Sequence, residues 1–137
     1  VHLLPTLVKV STGVQRRVLV VDDDSLVCQT VTILLKLDGH SVTVASSGEE
    51  ALAMFQPGAF DVVITDYAMP SMNGRQVAEA IKSRAPGQPV GLFTAHAEQL
   101  RADPDTLKSV DFLIEKPLNI EELREAVVAC GGIGPRN

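Results

Sequence analysis

From Val18 onward, short apolar runs alternate with longer stretches whose apolar positions recur every three or four residues. Val18 to Asp22 (VLVVD) is aliphatic and β-branched, too short for a helix, and predicts a strand buried on both faces. A helix is expected from about Ser25 to Asp38, closed by Gly39. Ser41 to Ala45 predicts a second strand. Ser47 and Glu50 then have the S-x-x-E spacing of a capping box, and Pro57-Gly58 ends the helix they open. Asp61 to Thr65 predicts the third strand, and Gly74 to about Ala85 a helix stopped by Pro86-Gly87. Pro89 to Phe93 and Asp111 to Ile114 predict strands four and five. Between them, Asp103-Pro104 reads as an N-cap and first helical residue. That spacing predicts a long loop after strand four and only a turn or two of helix. Asn119 and Glu122 cap a last helix with Leu123, Ala126, Val127 and Cys130 on one face, ended by Gly131-Gly132.

Strands alternating with helices require right-handed crossovers, hence an α/β fold with a parallel sheet covered by helices on both sides. Five such units at this length predict a flavodoxin-like (βα)5 domain with strand order 2-1-3-4-5. The expected boundaries are an N-terminal extension or linker over 1–17, one domain over 18–131, and a C-terminal tail over 132–137.

Composition narrows the function more than the fold. A net charge of −5 with no block of Lys or Arg argues against a nucleic-acid surface. No apolar run approaches membrane-spanning length, so no membrane contact is expected of this chain. Cys28 and Cys130 lack ligand or redox spacing and read as free thiols of a cytoplasmic protein.

The acids that remain sit at strand ends. Strand one runs into Asp22, Asp23 and Asp24, and strand three into Asp66, followed at once by a Pro- and Gly-bearing loop. In the order 2-1-3-4-5, strands one and three are neighbours, and ligands of open α/β sheets lie beyond the carboxyl ends of the strands. Asp22, Asp23 and Asp66 are therefore expected to converge. Like carboxylates ~4 Å apart repel by ~4 kcal/mol at an effective dielectric near 20, so the cluster calls for a cation, and hard oxygen ligands suit Mg²⁺. Strand four adds Thr94 at the same edge and strand five adds Lys116. A carboxylate, a metal nest, a hydroxyl and an ammonium are the parts needed to transfer a phosphoryl group onto Asp66.

VLVVDDD, TDYAMPSMNG, FTA and EKP, in this order and spacing, closely resemble the receiver domain of two-component response regulators, the CheY-like family. The resemblance covers roughly Val18 to Gly131. It implies Asp66 as phosphoacceptor, with a phosphohistidine of a histidine kinase or histidine phosphotransfer domain as donor. It implies Mg²⁺, for which Mn²⁺ can substitute, ligated by Asp23, Asp66 and the Ala68 backbone carbonyl, with Asp22 acting through water. Lys116 would pair with the acyl phosphate, Thr94 would swing toward it as the switch, and a cis Lys116–Pro117 bond is expected. A homodimer is compatible with the resemblance. The chain would act on itself alone, catalysing only its own phosphorylation and dephosphorylation. The family usually carries its switch aromatic three residues before the Lys; here that position is Leu113, with Phe112 one earlier. His96 reads as an exposed loop residue, and Met69 and Met72 as packing residues.

A phosphatase of the haloacid-dehalogenase type is the enzyme alternative, because Asp22-x-Asp24 imitates its nucleophile motif. That family needs a further acidic pair after its Lys, whereas Glu121, Glu122 and Glu125 fall on the last helix. The leader VHLLPTLVKV and the stretch after it resemble the junction between a hybrid histidine kinase and its C-terminal receiver. On the first helix, Val27, Val31, Leu34 and Leu35 are expected to face the sheet, leaving Leu26, Ile33 and Leu37 as a second apolar stripe suited to a donor or to the leader.

Overall fold

Five strands and six helices run from Arg17 to Ala129, alternating except for two consecutive helices before the last strand, in the structure, a computed structural model whose described residues are 13–116 and 119–130. The strands are β1 (Arg17–Val21), β2 (Ser41–Ala45), β3 (Val62–Asp66), β4 (Val90–Thr94) and β5 (Phe112–Glu115). The helices are α1 (Ser25–Leu37), α2 (Gly48–Met54), α3 (Gly74–Arg84), α4 (Ala97–Arg101), α5 (Pro104–Ser109) and α6 (Ile120–Ala129). All pairings are parallel and the sheet order is β2-β1-β3-β4-β5, the expected flavodoxin-like arrangement. The expected cis Lys116–Pro117 bond, the helix stop at Gly131-Gly132, the tail and most of the leader lie outside the described residues.

Side chains alternate across the sheet and so divide the core in two. Leu19, Val21, Val63, Val90 and Leu92 face α2 and α3, packing with Phe55, Val77 and Ile81. Val18, Val20, Val62, Ile64, Phe93 and Ile114 face the other way, onto Cys28, Val31 and Leu35 of α1 and Leu123 and Val127 of α6. Parity along each strand therefore decides which side of the carboxyl edge a residue occupies.

Several local expectations are revised. The loop after β4 is in part helical, because Ala97 and Leu100 are buried and hold a turn, α4, that lacks any side-chain cap at His96. The Asp103-Pro104 reading holds: Asp103 accepts from the Asp105 N–H at 3.1 Å and α5 spans six residues. The α2 box is half formed. Ser47 Oγ accepts from the Glu50 N–H at 3.0 Å, but the Glu50 carboxylate turns to the Ser46 N–H and hydroxyl instead. The reciprocal box occurs on α3, between Asn73 and Gln76. On α1 the buried residues are Cys28, Val31, Leu34 and Leu35; Val27 is half-buried and packs at the margin of the cluster that holds Cys28, Val31 and Leu35. Leu26 and Ile33 are exposed, at 69 % and 60 %, but Leu37 is half-buried near the helix end.

Candidate functional site

Three consecutive acids after β1 take three different environments. Asp22 continues the parity of Val18 and Val20 and is 2 % exposed; its Oδ1 accepts from the Asp24 N–H at 2.9 Å. Asp23 turns to solvent. Asp24 caps α1, accepting from the N–H groups of Leu26 and Val27. Asp66 is the last residue of β3, 6 % exposed, on the same face as Ile64. Ligand oxygens of Asp22, Asp23 and Asp66 all lie within 4.8 Å of one another, which is the expected convergence.

Lys116 follows β5 and reaches back across the edge. Its Nζ donates to Asp66 Oδ1 at 3.0 Å and lies 3.6 Å from Asp22 Oδ2. It also sits 5.0 Å from the centroid of the Phe93 ring. Thr94, 2 % exposed, ends β4 with the opposite parity from Phe93, and its hydroxyl accepts from the His96 N–H at 2.9 Å. His96 is exposed, as expected. Ala68 is exposed in the loop after β3, Met69 is buried in the core and Met72 packs against it. That loop turns through Ser71, whose φ of 69° is left-handed, and closes where the Gly74 N–H donates to the Tyr67 carbonyl at 2.8 Å.

The electrostatics follow from crowding three acids around one base at a partly dry edge. Burial raises the Asp66 pKa, opposed by its hydrogen bond and charge interaction with Lys116. Burial likewise raises that of Asp22, with the Asp24 N–H opposing and the Asp66 charge adding. For Lys116, burial alone would lower the value, but Asp66 and Asp22 together raise it. Asp22 Oδ2 is buried with no hydrogen-bond partner. A hard oxygen with no hydrogen bond, ion-paired with Lys116 only at 3.6 Å and set beside two other carboxylates, fits Mg²⁺, which prefers oxygen ligands and retains several waters.

The family model of the response regulator receiver domain matches residues 18–128. The chain belongs to that family. This receiver is 36 % identical over 107 residues to the probable transcriptional regulatory protein TcrX of Mycobacterium tuberculosis, covering 77 % of this chain and 45 % of TcrX. It is 36 % identical over 119 residues to the virulence sensor protein BvgS of Bordetella bronchiseptica, covering 82 % of this chain and 10 % of BvgS. It thus spans less than half the length of these curated relatives. Among solved structures, a receiver domain from Clostridium thermocellum aligns with a TM-score of 0.77 at 32 % identity, over 83 % of this chain and 92 % of that one. The response regulator TrrA of Thermotoga maritima, in complex with Mg²⁺ and BeF, gives 0.77 at 33 % identity, over 84 % and 98 %.

The receiver is therefore a phosphoacceptor signalling module of two-component signal transduction, and the phosphatase alternative is not supported. As a receiver it is of a kind that works with histidine kinases or phosphotransfer partners, and its acidic cluster suits Mg²⁺. No helix among the described residues is long and apolar enough to cross a membrane.

One feature of this receiver was not read from the sequence. The Phe93 ring beneath Lys116 could have been found from strand parity, since Phe93 pairs with both Asp66 and Ile114 in register. On β5, Phe112 packs with the α1/α6 side, while Leu113 packs with the α2/α3 side. Phe112 instead lies across Gly91, where a Cβ would stand 2.1 Å from its ring.

Proposed function

We propose that Asp66 is the phosphoacceptor of this receiver and Lys116 its charge partner. The observation that carries this reading is the 3.0 Å contact of Lys116 Nζ with Asp66 Oδ1 inside a cluster of three acids. A carboxylate oxygen of Asp66 attacks the phosphorus of a phosphohistidine; the O–P bond forms, the P–N bond breaks, and the electron pair leaves on the imidazole. Asp22, Asp23, Asp66 and the Ala68 carbonyl would hold Mg²⁺, or Mn²⁺ in its place, and the ion when bound supplies neutralisation of phosphoryl oxygens. Lys116 then donates to the phosphoryl group on Asp66. Thr94 supplies the switch hydroxyl, whose oxygen accepts from the His96 N–H and whose own proton remains to donate. Return to the resting state is attack of water on phosphorus with the Asp66 carboxylate leaving, so the chain's chemistry is confined to itself.

The donor would be a histidine kinase or histidine phosphotransfer domain in the cytoplasm, with no nucleic acid or membrane contacted by this chain. A groove of about 420 Å³ between α1 and the edge strand β2, lined by Asp22, Asp23, Gln29, Ile33 and Val44, suits a helical donor lying on α1. The domain proper would run over 18–131, between an extension over 1–17 and a tail over 132–137, within a regulator or hybrid kinase, and self-association as a homodimer is compatible with this. Acetyl phosphate with Mg²⁺ should give one acid-stable, base-labile adduct on the wild type and none on Asp66→Asn. Equal labelling of both would overturn the assignment, as would labelling unaffected by leaving out Mg²⁺.

A further inference from the structure

Lys116 reaches Asp66 by crossing a whole strand. Asp66 on β3 pairs in register with Phe93 on β4, and Phe93 pairs with Ile114 on β5, two residues before Lys116. Ile64, Phe93 and Ile114 all face the α1/α6 side, so Phe93 is the β4 side chain over which the lysine stem must pass. Phe93 is 6 % exposed and packed into the core, so its ring cannot turn aside, and the ammonium stands 5.0 Å from its centroid. That lies within the range in which a ring face attracts a cation.

We propose that Phe93 is a positioning residue for Lys116, holding the ammonium over the phosphoacceptor through its ring face. The proposal rests on the assignment of Asp66 and Lys116 given above. Lysine is a flexible point charge on four methylenes, and without other restraint its place is set by the carboxylates it pairs with. Phosphorylation turns the Asp66 carboxylate into the acyl part of a mixed anhydride and moves the negative charge onto the phosphoryl oxygens, so that restraint changes during the reaction it serves. The ring face carries a fixed quadrupole that phosphorylation does not alter. It keeps the ammonium in reach of the incoming phosphoryl oxygens before, during and after transfer. The opposing view is that Phe93 only fills the core between Ile64 and Ile114.

Two measurements on the full chain separate these. Replacing Phe93 by 4-fluoro-, 3,5-difluoro- and 3,4,5-trifluorophenylalanine drains the ring face stepwise while nearly preserving its shape. The rate of labelling by acetyl phosphate with Mg²⁺, at saturating donor, should fall with each fluorine, by about 3- to 10-fold across the series. The melting temperatures should not follow that order. A flat series, or one in which rate merely tracks melting temperature, overturns the proposal. Second, without any donor, the ε-methylene protons of Lys116 should show an upfield ring-current shift that is lost in Phe93→Leu. Absence of that shift in the wild type also overturns it. If the unsubstituted protein takes no label at Asp66, the assignment of the site fails and the proposal with it, whereas a labelled wild type with a flat fluorine series overturns the proposal alone.

Discussion

Gly74, the first residue of α3, is where fold and site are locked together, and Gly74→Ala should damage both. A Cβ at this position would lie 2.3 Å from the Asp66 carbonyl oxygen, 2.7 Å from Leu92 Cδ2 and 2.9 Å from Tyr67 Cα. Two of the three atoms are backbone, so no side-chain rotation relieves the clash. Its backbone φ is not in the left-handed region, and the demand is for space alone. Overpacking of this kind typically costs ~1–3 kcal/mol. Pushing α3 outward also weakens the 2.8 Å bond from the Gly74 N–H to the Tyr67 carbonyl, worth ~1 kcal/mol. Alanine returns at most ~1 kcal/mol of helix propensity. The net loss is ~1–3 kcal/mol, or roughly 3–12 °C in melting temperature at ~3–4 °C per kcal/mol for a domain of this size. Thermal unfolding followed by circular dichroism measures it, with Gly87→Ala as a control, since a Cβ there meets nothing within 4 Å. Adding Leu92→Ala should not rescue the variant, because the shortest contact is to the Asp66 backbone. Labelling by acetyl phosphate at a temperature where the variant is folded should also be slower, as the loop carrying Asp66 and Tyr67 moves. A Gly74→Ala protein that melts within a degree or two of the wild type would refute the reasoning.

Three further outcomes follow from other parts of the molecule. His40 is buried, its Nδ1 accepts from the Arg16 N–H at 3.0 Å, and burial lowers its pKa from 6.5, with Asp38 opposing and Arg16 adding. The unfolded chain thus takes up the proton first, so the stability His40 contributes is complete above about pH 6.5 and is lost as pH falls through the lowered folded value; His40→Gln should flatten that part of a urea-melt pH series, and an unchanged slope would count against it. The helices α4 and α5, five and six residues long, should exchange amide protons faster than α1 and α3 in the unphosphorylated protein, and strong protection throughout 95–109 would contradict this. Substituting the exposed Leu26 and Ile33 by Ser should slow transfer from a phosphotransfer domain that labels the wild type, with acetyl phosphate labelling and stability unchanged; lowered stability with unchanged transfer would assign the stripe to packing within the chain.

The sheet and the acidic edge were legible because both depend on period and order alone. Runs such as VLVVD and VVITD cannot be amphipathic helices, and once the strand order is fixed their terminal acids must meet. What depends on three-dimensional packing was not legible. The segment AHAEQLR has no capping side chain, and only the burial of Ala97 and Leu100 makes it helical. Cys28 is buried more deeply than Val27, which packs at the margin of the same cluster; a thiol packs as a small apolar group, and its Sγ donates to the Asp22 carbonyl at 3.3 Å. The Glu50 carboxylate has two nearby N–H groups to choose between, and residue spacing does not say that Ser46 is taken.

The run Asp22-Asp23-Asp24 shows how one residue of register separates functions that the letters alone do not. Strand parity buries Asp22, and its second oxygen is left without a hydrogen bond beside Lys116. The next residue leaves the strand and reaches the edge from solvent, where its carboxylate still comes within 4.8 Å of the other two. By the third residue the chain has begun a helix, and Asp24 is occupied by the N–H groups of Leu26 and Val27. An Asp-x-Asp nucleophile motif would need Asp24 facing the reaction centre beside Asp22. As the cap of α1 it is bound to the helix backbone, and replacing it would be expected to cost ~1 kcal/mol of helix stability rather than a metal ligand. Of the acids at this edge, Asp66 of β3 is the one that accepts a hydrogen bond from Lys116, and on the proposed reading it is therefore the carboxylate that takes the phosphoryl group.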